Sequence, residues 1–503
     1  MEAELLYQWG LPPQASYIFK HALIQDAAYQ SLLKSKRQQY HKKIGQILEE
    51  RFPETVETQP ELLAHHYTEA GLRGQAIAYW QRAGERARQR SANVEAIGHL
   101  TKGLELLKTL PDTPDRTQQE LTLQIALGAP LRITKGFASP EVERVYARAR
   151  ELSQQIGETP QLFPVLRGLG GFYLARADFQ TAHKLGEQCL RLAQSMQDPA
   201  LLLHAHYLQG ATLFCLGDIV LAREHVEQGF SLYNPRQHSS HTLLYGQDPG
   251  VACLFWTAWA LWFLGYQDQA LRRGHEAVTL AQELSHPYSL AIALNVVAFL
   301  HQFRREGHAA QEHAEASVTL SNEGGFGFIL PMGIILLGWA MAEQGQGKEG
   351  IEQMRQGLAS WQATGAELYR SYWLALLAEA YGKVGQTEEG LTVLAEALDA
   401  AHKNGERYNE AELYRLKGEL LLALSAENQS EAEVCFRQAI DIARQQSAKY
   451  LELRAVISLS RLLQKQGKKE DARKILAETY GWFTEGFDTC DLKEAKILLE
   501  ELS

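Results

Sequence analysis

Seventeen histidines and five cysteines are the side chains of this sequence best suited to hold a metal or to act as nucleophiles. His65 and His66 are adjacent, His204 and His206 are two apart, and His308 and His313 are five apart. None sits in an HExxH pattern or beside cysteines at a zinc spacing. Residues two apart on a helix point to different faces, so His204 and His206 do not converge. Cys189, Cys215, Cys253, Cys435 and Cys490 are odd in number and scattered, with no CxxC pair. That usage suits a reducing compartment and gives neither a disulfide framework nor a zinc site. Three Gly-Lys pairs, Gly347-Lys348, Gly382-Lys383 and Gly467-Lys468, are followed by Glu, Val and Lys, where a GxxxxGK[ST] phosphate loop needs Ser or Thr. No GxSxG elbow supports a serine nucleophile. The expectation is a chain with no catalytic residue, no cofactor and no metal.

The bulk numbers point the same way. At 503 residues the chain exceeds what one globular core usually fills, so it is several domains or a repeat array whose core grows by stacking. Hydrophobic residues make up 45% and charged residues 22%, an ordinary water-soluble balance. Sixty acidic against 50 basic side chains give a formal charge of −10, which argues against a phosphate-binding groove as the main function. Asp115-Arg116 and the basic run 34–43 are the local exceptions, and the run reads as a solvated helix face. The chain opens on Met1-Glu2-Ala3-Glu4, acidic where a signal peptide carries basic residues, which points to the cytoplasm. The apolar stretches 251–266 and 324–342 resemble membrane spans, but the first is short and the second holds Pro331 and five glycines. Both fall in phase with a repeat, which accounts for them without a bilayer.

The repeat is clearest in residues 369–404. Leu374, Leu377, Ala378 and Tyr381 precede the turn Gly385-Gln386, and Gly390, Leu394 and Ala397 follow it. Two amphipathic helices joined by a glycine turn produce this pattern. A small residue opens the second helix at Ala182, Ala222, Ala270, Ala309, Gly350, Gly390, Ala432 and Ala472. Seven residues later stand Cys189, Gly229, Ala277, Ala316, Gly357, Ala397, Ala439 and Thr479. Twelve residues earlier stand Gly170, Gly210, Ala258, Val297, Gly338 and Ala378, with Gly418 and Ser460 as the equivalents in the last two units. Only Val297 breaks the rule of small side chains. This register resembles the tetratricopeptide repeat, lengthened to about 40 residues from the usual 34. Looser units lie earlier, one with Gly128, Val142 and Ala149, another with Ala64, Ala76 and Ala83. An extra helix near residues 93–107 and a proline-rich linker, 110–114, interrupt the spacing. The longest loop is expected at 233–250 and a capping helix at 490–502. The fold class is thus all-α: an α-α superhelix of stacked helix-turn-helix units.

If ordinary repeat geometry holds, certain first-helix positions face a concave groove. These are Tyr207, Phe214, Phe255, Trp259, Trp262, His301 and Trp339, followed toward the C-terminus by Glu379, Arg415, Glu419, Arg454 and Arg461. One reading is a groove with an aromatic middle and a charged end that grips a protein or peptide. The other is that longer helices shift the phase and the aromatics fill the core.

The first fifty residues do not repeat. Ser16-Tyr17-Ile18-Phe19-Lys20-His21-Ala22-Leu23-Ile24-Gln25-Asp26-Ala27-Ala28-Tyr29, followed by a basic helix, resembles the tail of the winged-helix segment behind the nucleotide-binding core of bacterial STAND-type ATPases. Trp80-Gln81-Arg82-Ala83-Gly84, Asp248-Pro249-Gly250-Val251, Leu413-Tyr414-Arg415-Leu416-Lys417-Gly418-Glu419 and Tyr480-Gly481-Trp482-Phe483-Thr484-Glu485-Gly486-Phe487 resemble the sensor region of the same family. The resemblance implies a winged-helix remnant at 1–55, helical repeats at 56–110 and the main superhelix at 115–503. In that family the array follows an ATPase module, often behind a class III nucleotide cyclase or a protein kinase. It therefore implies a non-catalytic sensor and scaffold that binds a protein or peptide partner, or an ATPase module in cis or in trans. The alternatives are the ligand-sensing arm of a transcription regulator, or the regulatory part of a cyclase or kinase fusion. No membrane contact is expected, and nucleic acid is a minor possibility.

Overall fold

The computed structural model describes residues 6–9, 16–19, 21–157 and 160–503, so the acidic start and parts of the winged-helix-like segment lie outside the described residues. The chain divides into two compact units, Met1–Leu123 and Gln124–Ser503. In the first, β1 (Leu6–Trp9) pairs antiparallel with β2 (Ser16–Phe19), Leu6 opposite Phe19. Helices α1 (Ala22–Ser31), α2 (Lys34–Arg51), α3 (Pro53–Thr58), α4 (Pro60–Glu69), α5 (Arg73–Gln89) and α6 (Asn93–Leu107) follow. Proline opens α3 and α4, where its missing N–H costs nothing. Leu63, Ala64, Tyr67, Ala76, Trp80 and Ala83 form a core, so the early small-residue register packs as its spacing requires. Lys34, Lys36, Lys42 and Lys43 on α2 are exposed.

Helix α7 (Pro114–Lys135) ends in the second unit. There α8 (Pro140–Ile156), α9 (Leu162–Ala175), α10 (Phe179–Met196), α11 (Pro199–Cys215), α12 (Ile219–Ser231) and α13 (Pro235–Tyr245) come first. After them come α14 (Pro249–Phe263), α15 (Gln267–Glu283), α16 (Pro287–Phe303), α17 (Gly307–Gly324), α18 (Ile329–Glu343), α19 (Gly347–Ala363) and α20 (Arg370–Lys383). The last are α21 (Thr387–Asn404), α22 (Glu410–Leu424), α23 (Gln429–Gln445), α24 (Lys449–Lys465), α25 (Lys469–Tyr480) and the closing α26 (Cys490–Glu501). The fold is the expected all-α solenoid of antiparallel helix pairs. Aspartates 178, 198, 218 and 248 accept backbone N–H bonds at the starts of α10, α11, α12 and α14, as N-caps do. No helix of the described residues is long and apolar enough to cross a membrane, and the stretch 251–266 is largely α14, wholly buried.

The structure shifts the register of one unit. Ala310, not Ala309, is the fully buried residue opening α17, and Ser317 is buried where Ala316 is exposed. Twelve residues before Ala310 lies Ala298, so the apparent exception at Val297 disappears. The Ser317 hydroxyl is accommodated by donating to the Ala291 carbonyl at 2.9 Å. Small residues matter because backbones approach so closely: a methyl on Gly350 would sit 2.4 Å from the Gly338 carbonyl oxygen. The stretch expected to be the longest loop instead contains α13, begun by Asn234, whose side chain accepts from Arg236 N, and by Pro235.

Turns of the solenoid touch. The Ile133 carbonyl near the end of α7 accepts from Gly327 N, just before α18, at 3.2 Å. The Ala175 carbonyl ending α9 accepts from Glu367 N and Leu368 N, before α20, at 2.9 and 3.1 Å. The Cys215 carbonyl ending α11 accepts from Arg407 N, before α22, at 2.8 Å. Each partner lies five helix pairs further on. Related contacts follow: the Phe303 carbonyl ending α16 accepts from Tyr450 Oη of α24, four pairs on, at 2.9 Å, and Arg304 pairs with Asp488, just before α26, at 2.7 Å. The bonds to Ile133, Ala175, Cys215 and Phe303 fill carbonyls that a helix end leaves unsatisfied.

Two turn glycines separate this seam from ordinary backbone strain. Gly365 and Gly385 have φ of +77° and +78°, but an added Cβ meets the Ala138 carbonyl oxygen at 2.9 Å in the first and nothing in the second. Gly385→Ala should cost about 1–2 kcal/mol of left-handed strain. Gly365→Ala should cost a further ~1–3 kcal/mol from the clash across the seam. Urea unfolding of both variants measures the difference, and equal losses would mean the seam is not closed.

Candidate functional site

Contact between turns decides what the first helices can do. Trp259 packs against Phe299, Tyr369 and Phe214, with ring centroids 4.7, 5.2 and 5.8 Å away. Trp262 stacks on Phe303 and meets Tyr450 edge-on at 4.9 Å. Phe214, Trp259 and Trp262 are completely buried, and Trp339 nearly so. The expected open aromatic groove is therefore corrected at these four positions: for Phe214, Trp259 and Trp262, elements three to five pairs further on (Tyr408, Tyr369, Tyr450) occupy the axis, and all four side chains lie in the core.

The axis is not filled everywhere. A small cavity, with about 60 Å³ of room for water-sized solvent and open to the surface at its mouth, lies between α9, α11, α14, α16, α18 and the segment before α20. Its walls are mainly apolar, with Phe255, Trp256, Phe299, Phe328 and Met332 among them, and Tyr207 also lines it. Two of the predicted groove residues, Tyr207 and Phe255, thus face a common space, although both are largely buried. Polar groups in the wall are few: Arg167, Gln247 and Asn295.

Arg167 is 4% exposed. Its guanidinium lies over the Tyr207 ring at 4.6 Å, and its Nε has no acceptor. Behind it Arg132, 1% exposed, donates through Nη2 to the Tyr245 carbonyl, while its Nε and Nη1 are unpartnered. Both guanidiniums approach Gly171: a methyl there would meet Arg167 Nη1 at 3.2 Å and Arg132 Nη1 at 3.9 Å. Neither arginine has a carboxylate partner among the described residues. Asp248, the buried carboxylate of this region, accepts from Tyr233 Oη and Val251 N instead. Asn295 donates to the Ile329 carbonyl at 3.3 Å and leaves its Oδ1 unpartnered. Two buried cations beside an apolar cavity are expensive unless something anionic joins them.

The charged end of the predicted groove is arranged differently. Arg415 pairs with Glu412 at 2.6 Å and Glu419 at 3.6 Å, and Arg454 pairs with Glu412 at 3.2 Å and Asp491 at 3.9 Å. Arg461, the exposed member of the set, pairs with Glu494 at 2.8 Å. Burial raises the Glu379 carboxyl, but Lys383, Arg454, Arg415 and Arg305 outweigh it and bring it to about 2. His301 is partly buried and meets Glu306 at 2.6 Å. These residues satisfy one another and present little free charge.

The histidines pair without forming a metal site. His204 and His206 diverge as expected, meeting His241 and His225, each at 3.0 Å. His66 contacts His41 at 2.8 Å, and burial lowers His66 and His206 to about 4, in a neutral form. No group of three metal-ligating side chains occurs among the described residues. Arg132 and Arg167 went unrecognised in the sequence. The available signal was one charge inside an apolar, glycine-rich helix, Val165-Leu166-Arg167-Gly168-Leu169-Gly170-Gly171.

No family model matches the chain. An uncharacterized protein of Rhizobium meliloti (strain 1021) is 26% identical over 467 residues, covering 92% of this chain. The chain spans about half the length of that relative, 45%. Among solved structures, a Rap protein complexed with Competence and Sporulation Factor gives a TM-score of 0.56 at 13% identity, covering 74% of this chain and 98% of that one. The Rap conjugation gene regulator of plasmid pLS20, in complex with the Phr* peptide, gives 0.43 at 12% identity, with 76% and 95% covered. The first likeness shows a shared helical-repeat fold.

Glu406, 1% exposed, holds the cavity-lining Tyr369 in place. Its carboxylate accepts from Tyr369 N at 2.7 Å, Ser371 Oγ at 2.6 Å and Ser371 N at 3.3 Å, which caps α20 from the next repeat. Burial raises its carboxyl from 4.5 to about 7 despite these bonds. The folded state therefore binds the proton more tightly than the unfolded chain, and this group lowers stability as pH rises from 4.5 to about 7. The effect is on the order of 3 kcal/mol. Comparing Glu406→Gln with the wild type cancels the opposing histidine contribution. The variant's relative stability should rise across that window in chemical denaturation, and a pH-independent difference would contradict the assignment.

Proposed function

We propose that this chain is the non-catalytic sensor and scaffold part of a larger signalling protein. On this reading, a ligand or a protein or peptide partner engages the coil and changes how tightly its turns close. The observation that carries the reading is the seam. Because α9, α11, α14, α16, α18 and the start of α20 surround one cavity, an occupant touches helices from two successive turns at once. Differential affinity for tighter and looser coils is what a signal requires. The relative of more than twice the matched length supports a larger setting.

The module that does chemistry is proposed to be a STAND-type ATPase, in cis or in trans, with residues 1–55 as the tail of its winged-helix segment. Bound partners are proposed to meet the surface toward the C-terminal end of the coil, where Arg461 is exposed.

The coding region beside this chain should contain a GxxxxGK[ST] loop. The ATP turnover of the module carrying it, measured with and without this chain, should change by at least about threefold. Unchanged turnover, or no such module, would overturn the ATPase assignment.

A further inference from the structure

We propose that the cavity of the second unit binds a small amphipathic acid, its carboxylate held by Arg167, with the buried Arg132 behind it adding positive charge, and its apolar body by the aromatic walls. The proposal rests on the sensor reading above and names the chemistry of its ligand. Arg167 lines the cavity, is almost completely buried, and has a ring beneath it but no acceptor for its Nε. Arg132, outside the cavity wall, adds a second buried guanidinium with two unpartnered nitrogens, and both guanidiniums approach Gly171, which lines the cavity. A planar fork of N–H donors matches a carboxylate in two parallel bonds. Asn295, whose carbonyl oxygen is unpartnered, offers an acceptor for a hydroxyl or amide N–H on the same ligand.

The rest of the wall narrows the class. Phe255, Trp256, Phe299, Phe328 and Met332 suit hydrocarbon or an aromatic ring. A sugar would leave most of its hydroxyls facing apolar surface, and a free phosphate would leave most of its oxygens there too. The same chemistry can come from a free aliphatic or aromatic acid, or from the C-terminal residues of an apolar peptide.

Isothermal titration calorimetry of the full chain distinguishes these sources. The probes are octanoate, octanamide, and a trileucine peptide with a free or an amidated C-terminus. Saturable binding of octanoate supports a free acid, and binding of the free-terminus peptide alone supports the peptide source. In either case the neutral counterpart should bind at least about tenfold more weakly. Arg167→Met should weaken binding at least about tenfold while melting no lower than wild type, because the charge removed has no partner to strand. Should that variant not fold, Arg167→Lys, which keeps the charge and loses the fork, should still bind several-fold more weakly. Equal binding of acid and neutral probes, undiminished binding by the folded arginine variant, or no saturation at millimolar concentrations would overturn the proposal. Acid binding that leaves amide exchange at the seam unchanged would uphold the site and sink the sensor reading.

Discussion

The second unit depends on a contact between its own successive turns. Carbonyls of Ile133, Ala175 and Cys215, which a helix end leaves without partners, are satisfied by N–H groups five helix pairs further on. Each bond contributes only about 1 kcal/mol, but an orphaned group in its place would cost more. One set of bonds therefore caps the first helices and fixes the pitch of the coil. Once the pitch is fixed, the first-helix aromatics meet each other across the axis and leave the solvent.

The two ends of the axis then handle buried charge in opposite ways. Toward the C-terminus, Arg305, Arg415 and Arg454 share Glu412, Asp491 and their neighbours in a closed network. Beside the cavity, Arg132 and Arg167 are left with rings and one carbonyl. Burying a charge without a counter-charge is among the costlier things a fold does, and such positions are where binding sites are sought. The contrast within one unit is what singles out the cavity.

Much of the architecture was legible in the sequence because helices that approach backbone to backbone demand small residues at fixed offsets. Gly338 and Gly350 had to be small for that reason. The slip at Ala309 arose where Ala309-Ala310 offered two equivalent alanines and Ala316, seven residues after the first, fitted the small-residue rule as well as the true later position, Ser317. Helix α13 was hidden among turn-forming residues, with only Asn234-Pro235 and Gly246 to mark its ends. The candidate site was much less legible. Local periodicity shows which face of a helix is buried against its neighbours but carries no information about the next turn, so for Trp259 and Trp262 it left groove and core both open, and they are core. Tyr207 and Phe255 line the cavity, while the arginines beside it belong to no motif that the sequence displays.

Amide hydrogen exchange read residue by residue tests the closed seam most directly. The N–H groups of Gly327, Glu367, Leu368 and Arg407 lie in turns between repeats, where an open solenoid exposes them to water. A closed coil predicts that they exchange as slowly as the interiors of α9 and α11. Exchange as rapid as that of unprotected turn amides would show that the turns do not touch, and the axial cavity would go with them.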